Sequence, residues 1–357
     1  MRTYPLPVVL FLLSLVMICS CSGKAGKSAK PVALLEIVPA ARNYRYGQAM
    51  SLHIKIKAPK NQLPKTELFL NNELLVTDQR EEFTHDISGK GLLGVNTVRI
   101  VTTSQDGRSS TLLRNFTMLS DSAPIACSYR VVREYPHHRE HFTQGLEFHQ
   151  GHLYEGTGEN GRSALYKTDL TSGKILLSAK LDDRYFGEGI TILDGKIYQL
   201  TYRHRTGFVY RLSDFAVIDS FAFASQEGWG LTNDGKALIM SDGTETLTWI
   251  DPSGFRVIRK LQVADQEKVY RYLNELEYDN GHLWANVWGT DMIIKIDAAT
   301  GKVKAVIDLK GILSVMAAGT SDRLDVLNGI AVLPSGNLLV TGKLWPKMFE
   351  IEPVCSE

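Results

Sequence analysis

The chain of 357 residues has almost no net charge: 40 basic against 39 acidic side chains leave +1. A surface without excess positive charge lacks the electrostatic footprint for a polyanion, which argues against nucleic acid as a partner. Cysteine is scarce. Of four, Cys19 and Cys21 fall in the first 21 residues, so only Cys127 and Cys355 remain beyond them. No HExxH run is present, so the helical zinc-hydrolase pattern is missing. Neither a glycine-rich phosphate cradle nor a nucleophile elbow occurs, which disfavours nucleotide chemistry and serine hydrolysis. The apolar stretch from Val8 to Ile18 is too short to span a bilayer.

Behind the basic start Met1-Arg2, that stretch reads instead as a secretory signal. Ile18-Cys19-Ser20-Cys21 has the form of a bacterial lipoprotein box, with small Ser20 ahead of Cys21 and bulky Ile18 making Cys19 the poorer choice. The expectation is a signal over residues 1–21 with Cys21 lipidated, an exported protein anchored in the bacterial cell envelope, and a polar tether over 22–31. An ordinary cleaved signal with an incidental Cys21 is the alternative. In an exported protein, Cys127 and Cys355 either bond, closing a very long loop, or remain two buried thiols.

The rest is an ordinary globular balance, 44% hydrophobic and 22% charged, with length for more than one domain. Residues 32–121 alternate in short strands such as Ser51-Leu52-His53-Ile54-Lys55-Ile56 and Thr97-Val98-Arg99-Ile100-Val101. Asn71-Asn72, Lys90-Gly91 and Asp106-Gly107 supply turns between them. No helical period and no catalytic cluster appear there, so a small immunoglobulin-like β-sandwich serving as spacer or interaction module is expected.

Beyond it, a run of polar or aromatic, usually small, then aliphatic residues recurs five times. The runs are Gln144-Gly145-Leu146, Glu188-Gly189-Ile190, Trp229-Gly230-Leu231, Asn274-Glu275-Leu276 and Asn328-Gly329-Ile330, spaced by 44, 41, 45 and 54 residues. That period matches a four-stranded propeller blade, and equivalent positions in a closed ring converge on its axis. Residues 127–357 are therefore expected to form a five-bladed β-propeller, making the whole chain all-β. The fifth set is one strand short, and Tyr129-Arg130-Val131-Val132-Arg133 ahead of the first set can supply it, bringing Cys127 towards Cys355. The longest spacing contains Leu309 to Leu327, expected to be a helical or irregular insertion over the mouth of the ring.

At these residues the chain resembles the plant-type glutaminyl cyclases, also called glutamine cyclotransferases. The resemblance is carried, in order, by Phe142-Thr143-Gln144-Gly145-Leu146, Phe186-Gly187-Glu188-Gly189-Ile190-Thr191, Gly228-Trp229-Gly230-Leu231, Leu273-Asn274-Glu275-Leu276, Ala285-Asn286-Val287-Trp288-Gly289, Leu327-Asn328-Gly329-Ile330 and Thr341-Gly342-Lys343-Leu344-Trp345-Pro346. It covers about Tyr129 to Glu352 and leaves the sandwich outside. It implies a propeller that converts N-terminal glutamine of peptides to pyroglutamate without a metal; a monomer acting on peptides or proteins is expected. It places the family's essential acid at Glu188, its lysine at Lys343, its polar partners at Gln144 and Asn274, and its pocket aromatics at Trp229 and Trp288. Phe142, Phe186, Tyr202 and Asn328 complete the expected substrate-binding set. The chain departs from the family at Tyr202, where a tryptophan is usual, and at His137-His138-Arg139-Glu140-His141, where a His-Asp-Pro-like lead-in is usual.

The chemistry suits these groups. The α-amine attacks its own γ-amide carbon, so a folded-back conformer held by aromatic walls provides much of the acceleration. One carboxyl can take the amine's proton and deliver one to ammonia; Lys343 and Asn274 are candidate donors to the tetrahedral oxyanion. Each residue also has a plain structural reading: Glu188 as a rim carboxylate, the tryptophans as core, Lys343 as solvated. Glu275 and Glu277 flank Leu276 and are expected in a structural network, and His137, His138 and His141 as solvated loop residues rather than metal ligands. No cofactor is expected, although a structural cation in the channel stays open. Two other functions compete: a non-catalytic propeller binding peptides or glycans, and a calcium-dependent lactonase, whose several inward oxygen ligands fit an aromatic axis poorly.

Overall fold

A computed structural model describes residues 29–59, 63–312 and 324–355. The expected signal and Cys21 lie outside these residues, as does most of the expected insertion. Among the described residues every regular element is a strand, and no helix is long and apolar enough to cross a membrane.

The N-terminal region builds two sheets. Val32–Val38, Ser51–Lys57 and Glu82–Asp86 form one, and Asn43–Arg45, Ser109–Leu119, Gly94–Thr103, Lys65–Leu70 and Glu73–Asp78 form the other, each in that spatial order. Alternation puts every second residue of Gly94–Thr103 inside, as expected of strands with one buried face. Leu52, Ile54, Leu68, Val98 and Ile100 from both sheets meet in one core. The hairpin between Leu70 and Glu73 turns on Asn71 and Asn72, both left-handed at φ 50° and 72°, the conformation that a two-residue turn of this twist needs. This body docks on the remainder through Gln262, whose side-chain amide pairs with both Val95 N (2.8 Å) and Val95 O (2.9 Å). A small apolar contact of Leu93, Leu119 and Ala264 accompanies it.

From Thr143 onward the strands run in antiparallel sets of four. The innermost strands are Thr143–His149, Gly187–Leu193, Leu231–Asn233, Leu273–Asp279 and Leu327–Val332. Each packs against the next, and the last against the first. Apolar clusters fill the space between neighbouring sets, including Leu146 and Leu153 of the first against Ala331 and Leu339 of the last. Inner strands are mostly buried and outer ones more exposed, most clearly Gly187–Leu193 against Val217–Ala222 in one set. The last set takes its outer strand from Ile125–Pro136, which precedes the first set and pairs antiparallel with Lys347–Cys355. The same strand runs parallel to Val303–Asp308, joining the last two sets into an eight-stranded sheet.

Cys127 and Cys355 sit opposite one another in that pairing and are bonded, across 228 residues of sequence. The bridge fastens the strand ahead of the first set to the last strand, where the circle of sets closes. Because it removes loop-closure entropy from the unfolded chain, Cys127→Ser with Cys355→Ser is expected to lower stability by about 2–5 kcal/mol. Denaturant melts with and without reductant check this: reductant should bring the wild type down to the variant, and coincident non-reduced curves would contradict it.

Candidate active site

The recurring motif is explained by how each inner strand enters its sheet. Pairing with the second strand slips between Thr143 and Gly145, Gly187 and Ile190, Leu273 and Leu276, and Leu327 and Ile330. Such bulges re-aim a side chain, and the residues inside them are Gln144, Glu188, Asn274 and Asn328. Where a glycine follows the recurring position, close approach to the next inner strand requires it. A Cβ on Gly145 would lie 2.4 Å from Ile190 N, one on Gly189 2.4 Å from Leu231 N, and one on Gly230 2.0 Å from Asn274 O.

Gln144, Glu188, Trp229 and Asn274 thereby meet around one cavity of about 390 Å³, joined by Lys343. Phe142, Phe186, Tyr202 and Trp288 line it as well. Phe142 and Phe186 pack edge to face at 6.0 Å, Phe186 lies 5.8 Å from Tyr202, and Trp229 stands edge-on to Trp288 at 6.0 Å. Trp229 is pinned by its indole N–H, which donates to Glu227 Oε2 at 3.0 Å, while Arg203 Nε holds the other oxygen at 2.9 Å. Asn328 does not line the cavity. Its Nδ2 donates to Thr143 O (3.0 Å) and Gln144 Oε1 (3.2 Å), so it orients Gln144 and leaves that residue's amide N–H₂ for the cavity.

Burial dominates the electrostatics. It pushes Glu188 well above the ordinary carboxyl value, opposed by the charge of Lys343 and reinforced by that of Glu227. It pulls Lys343 below the ordinary lysine value, opposed by Glu188 and Asp325. Lys343 is 4% exposed, so it is not a solvated rim residue, and its Nζ lies 4.7 Å over the Phe142 ring. An acid and a base that each resist ionisation face one cavity walled by aromatic rings, a common arrangement where protons are moved.

Lys343 is held by an irregular turn. Leu344 is left-handed at φ 63°, strained for a branched side chain, and its N–H donates to His141 O at 2.8 Å. Trp345 is fully buried over Gly342, where a Cβ would fall 2.2 Å from the indole. His137 and His141 fasten this turn and correct the expectation of solvated histidines: both are buried. His137 donates Nδ1–H to Trp345 O (2.6 Å) and Nε2–H to Glu155 Oε1 (3.0 Å), and His141 donates Nδ1–H to Glu155 Oε2 (2.7 Å). Thr143 Oγ1 adds a fourth hydrogen bond at 2.7 Å. His138 alone is exposed, donating to Gly173 O. Two ring nitrogens and a carboxylate oxygen of the trio lie within 4.8 Å of one another, a spacing a metal ion could use, yet both His137 nitrogens already face oxygen acceptors. Burial depresses the His137 pKa, but the charge of Glu155 and the hydrogen bonds to Glu155 and Trp345 more than reverse this. Glu155, raised by burial, is brought well below the carboxylate range by the charges and hydrogen bonds of the two histidines. The arrangement is a buried imidazolium–carboxylate network.

Glu275 and Glu277 take the structural role expected of them. Glu275 accepts Leu146 N–H at 3.1 Å and Ile330 N–H at 2.8 Å, and Glu277 accepts Val332 N–H at 3.0 Å. Sequence reasoning missed Tyr272 and Asp325, which also line the cavity. A signal existed for Tyr272: it stands two residues before Asn274, as Phe142 does before Gln144 and Phe186 before Glu188.

Known proteins of one family resemble this chain. The sequence model of the glutamine cyclotransferase family matches residues 99–353, starting inside the N-terminal body rather than after it. The glutaminyl-peptide cyclotransferase of Arabidopsis thaliana is 42% identical over 224 residues, covering 62% of this chain and 70% of the relative. The crystal structure of Myxococcus xanthus glutaminyl cyclase superposes with a TM-score of 0.61 at 35% identity, covering 66% of this chain and all of that one.

The histidine network sets a pH-dependent expectation. The depressed pKa of Glu155 contributes stability above the unfolded carboxyl value that is lost as pH falls. The raised pKa of His137 contributes stability below the unfolded imidazole value that is lost as pH rises. Both are fully present between about pH 4.3 and 6.5, so Glu155→Gln should cost most there, about 3–5 kcal/mol for an uncompensated buried charge. Denaturant unfolding across pH 4–9 tests this; a difference that is flat with pH would contradict it.

Proposed function

The chain belongs to the glutamine cyclotransferase family and is a glutaminyl-peptide cyclotransferase, forming pyroglutamate from N-terminal glutamine with release of ammonia; from that premise we propose that Glu188 is its general acid–base group. The observation that carries the proposal is the placement of a buried, hard-to-ionise carboxyl beside Lys343 at the convergence of the inner strands. In its carboxylate form Glu188 accepts the proton that the α-amine loses on attacking the γ-amide carbon. It then returns that proton to the departing nitrogen as the tetrahedral intermediate collapses. Lys343 and the Asn274 amide donate to the oxyanion. Gln144, with its oxygen already engaged by Asn328, offers its N–H₂ to the substrate carbonyl. Phe142, Phe186, Tyr202, Trp229 and Trp288 hold the methylene arm folded and exclude water, supplying the proximity that an intramolecular attack needs.

We further read the five strand sets as blades of one five-bladed propeller and residues 32–121 as an immunoglobulin-like module. The cyclic packing of inner strands and the two-sheet core support these readings. The export and lipid anchor expected from residues 1–21, and a monomeric state, are part of the same proposal. Its substrates are peptides or proteins of the cell envelope that present glutamine first.

Glu188→Gln should reduce ammonia release from a Gln-initiated peptide by at least about 10²–10⁴-fold, and a chelator should leave the wild type unaffected. An active Glu188→Gln enzyme would overturn the assignment, and chelator-sensitive release would mean that a metal takes part. In kcat, where ionisation of free substrate does not enter, the acid limb should lie above the ordinary glutamate value and the alkaline limb below that of lysine. Those are the directions in which burial moves Glu188 and Lys343.

A further inference from the structure

We propose that Tyr272, with the outer face of Trp288, forms a subsite for the side chain that follows the N-terminal glutamine, favouring aromatic and large apolar residues. The inference rests on the reading of the Glu188 cavity as the cyclisation site. Both rings line that cavity, yet Tyr272 is 53% and Trp288 44% exposed, whereas Gln144, Glu188, Asn274 and Lys343 are buried. The two rings therefore mark its mouth. A glutamine that folds its amine onto its own side-chain amide has one direction left in which the peptide continues, through its α-carbonyl and out past the mouth. The second residue is the part of the substrate that must pass these rings.

The local structure presents Tyr272 rigidly. Its φ of 62° is left-handed, an outlier for a bulky residue of the kind that clusters at functional sites. It is fixed from both sides, Tyr272 N–H donating to Gly243 O at 2.9 Å and Trp288 N–H donating to Tyr272 O at 2.8 Å. The corresponding rings of the first two sets, Phe142 and Phe186, are half-buried and pack on one another. Tyr272 instead touches Trp288 at 6.2 Å and turns the rest of its surface to solvent, continuing the aromatic line from Trp229 through Trp288. A large exposed ring held in a strained backbone, at the exit of a cavity whose substrate must leave that way, is placed to receive a side chain. An aromatic partner gains most from it, through offset or edge-on ring contact.

The test compares ammonia release from Gln-Phe-NH₂ and Gln-Ala-NH₂ by the wild type, Tyr272→Phe and Tyr272→Gly. Glycine adopts the left-handed backbone without strain, so that variant removes the ring without threatening the fold. The wild type should show kcat/KM about two- to tenfold higher for Gln-Phe-NH₂, mostly through KM. Tyr272→Phe should keep that ratio and Tyr272→Gly should bring it close to one. A ratio near one in the wild type, or an unchanged ratio in Tyr272→Gly, overturns the subsite. Glu188→Gln run alongside separates the two claims: if it turns over both peptides, the cavity is not the cyclisation site. If it is inactive while the ratio ignores Tyr272, only the subsite falls.

Discussion

The five inner strands pack against one another in a circle without pairing with one another as strands in a sheet do. The backbone N–H groups that face the next set must still be bonded, since each left unpaired in the interior costs about 1–3 kcal/mol. Side chains meet that need. Glu275 bridges two other sets through Leu146 N–H and Ile330 N–H, Glu277 takes Val332 N–H, and Glu147 takes Ile192 N–H at 2.8 Å with the Thr191 hydroxyl at 2.9 Å. Thr232 accepts Tyr278 N–H, and Asn233 donates to Ile192 O. Burial lifts the pKa values of all three glutamates, with repulsion among them adding for Glu275 and Glu277 and the donated N–H groups opposing. A carboxyl fixed by backbone donors holds the sets at a set distance, and that distance decides whether the bulge residues meet.

The candidate active site is the other consequence of the same packing. Three of the four bulges turn a side chain into the cavity, Gln144, Glu188 and Asn274, and the glycines behind Gln144 and Glu188 let the next set come close enough for those side chains to share it. The desolvation that makes Glu188 reluctant to ionise follows from that closeness. Lys343 does not come from an inner strand; it reaches the cavity from a turn tied to the segment ahead of the first set by His141 O, His137 and Trp345. That segment and that turn are some 200 residues apart. The disulfide and the pairing of Ile125–Pro136 with Lys347–Cys355 bring the start of the first set and the end of the last together beside the turn that holds the lysine.

What was legible in the sequence was local or periodic. All-β character, the Asn71-Asn72 turn, the recurring axial position and the paired structural glutamates each rest on spacing within one element or on a repeat. His137 and His141 were misread because their partners lie on other elements: Glu155 on His152–Thr157, the second strand of the first set, and Trp345 far along the chain. Nothing in a short polar run distinguishes a solvated loop from a buried ionic network. Asn328 sits in the right repeat position but reaches its neighbour Gln144 instead of the cavity, because its Nδ2 is drawn to Thr143 O. Tyr272 was legible in principle, two residues before an axial position as two phenylalanines are, yet aromatics in strands are commonly core and the pattern holds in only three sets of five.

The central claim is that convergence of the sets leaves Glu188 a carboxyl that holds its proton far more firmly than an exposed one, under the restraint of Lys343. A pH titration of the ¹³C-labelled glutamate carboxyl resonances, with Glu188 identified by its loss in Glu188→Gln, measures this directly. The account predicts a Glu188 midpoint well above the usual carboxylate range that climbs further in Lys343→Met. A Glu188 that titrates like an exposed glutamate, or whose midpoint does not rise when Lys343 is removed, would contradict it.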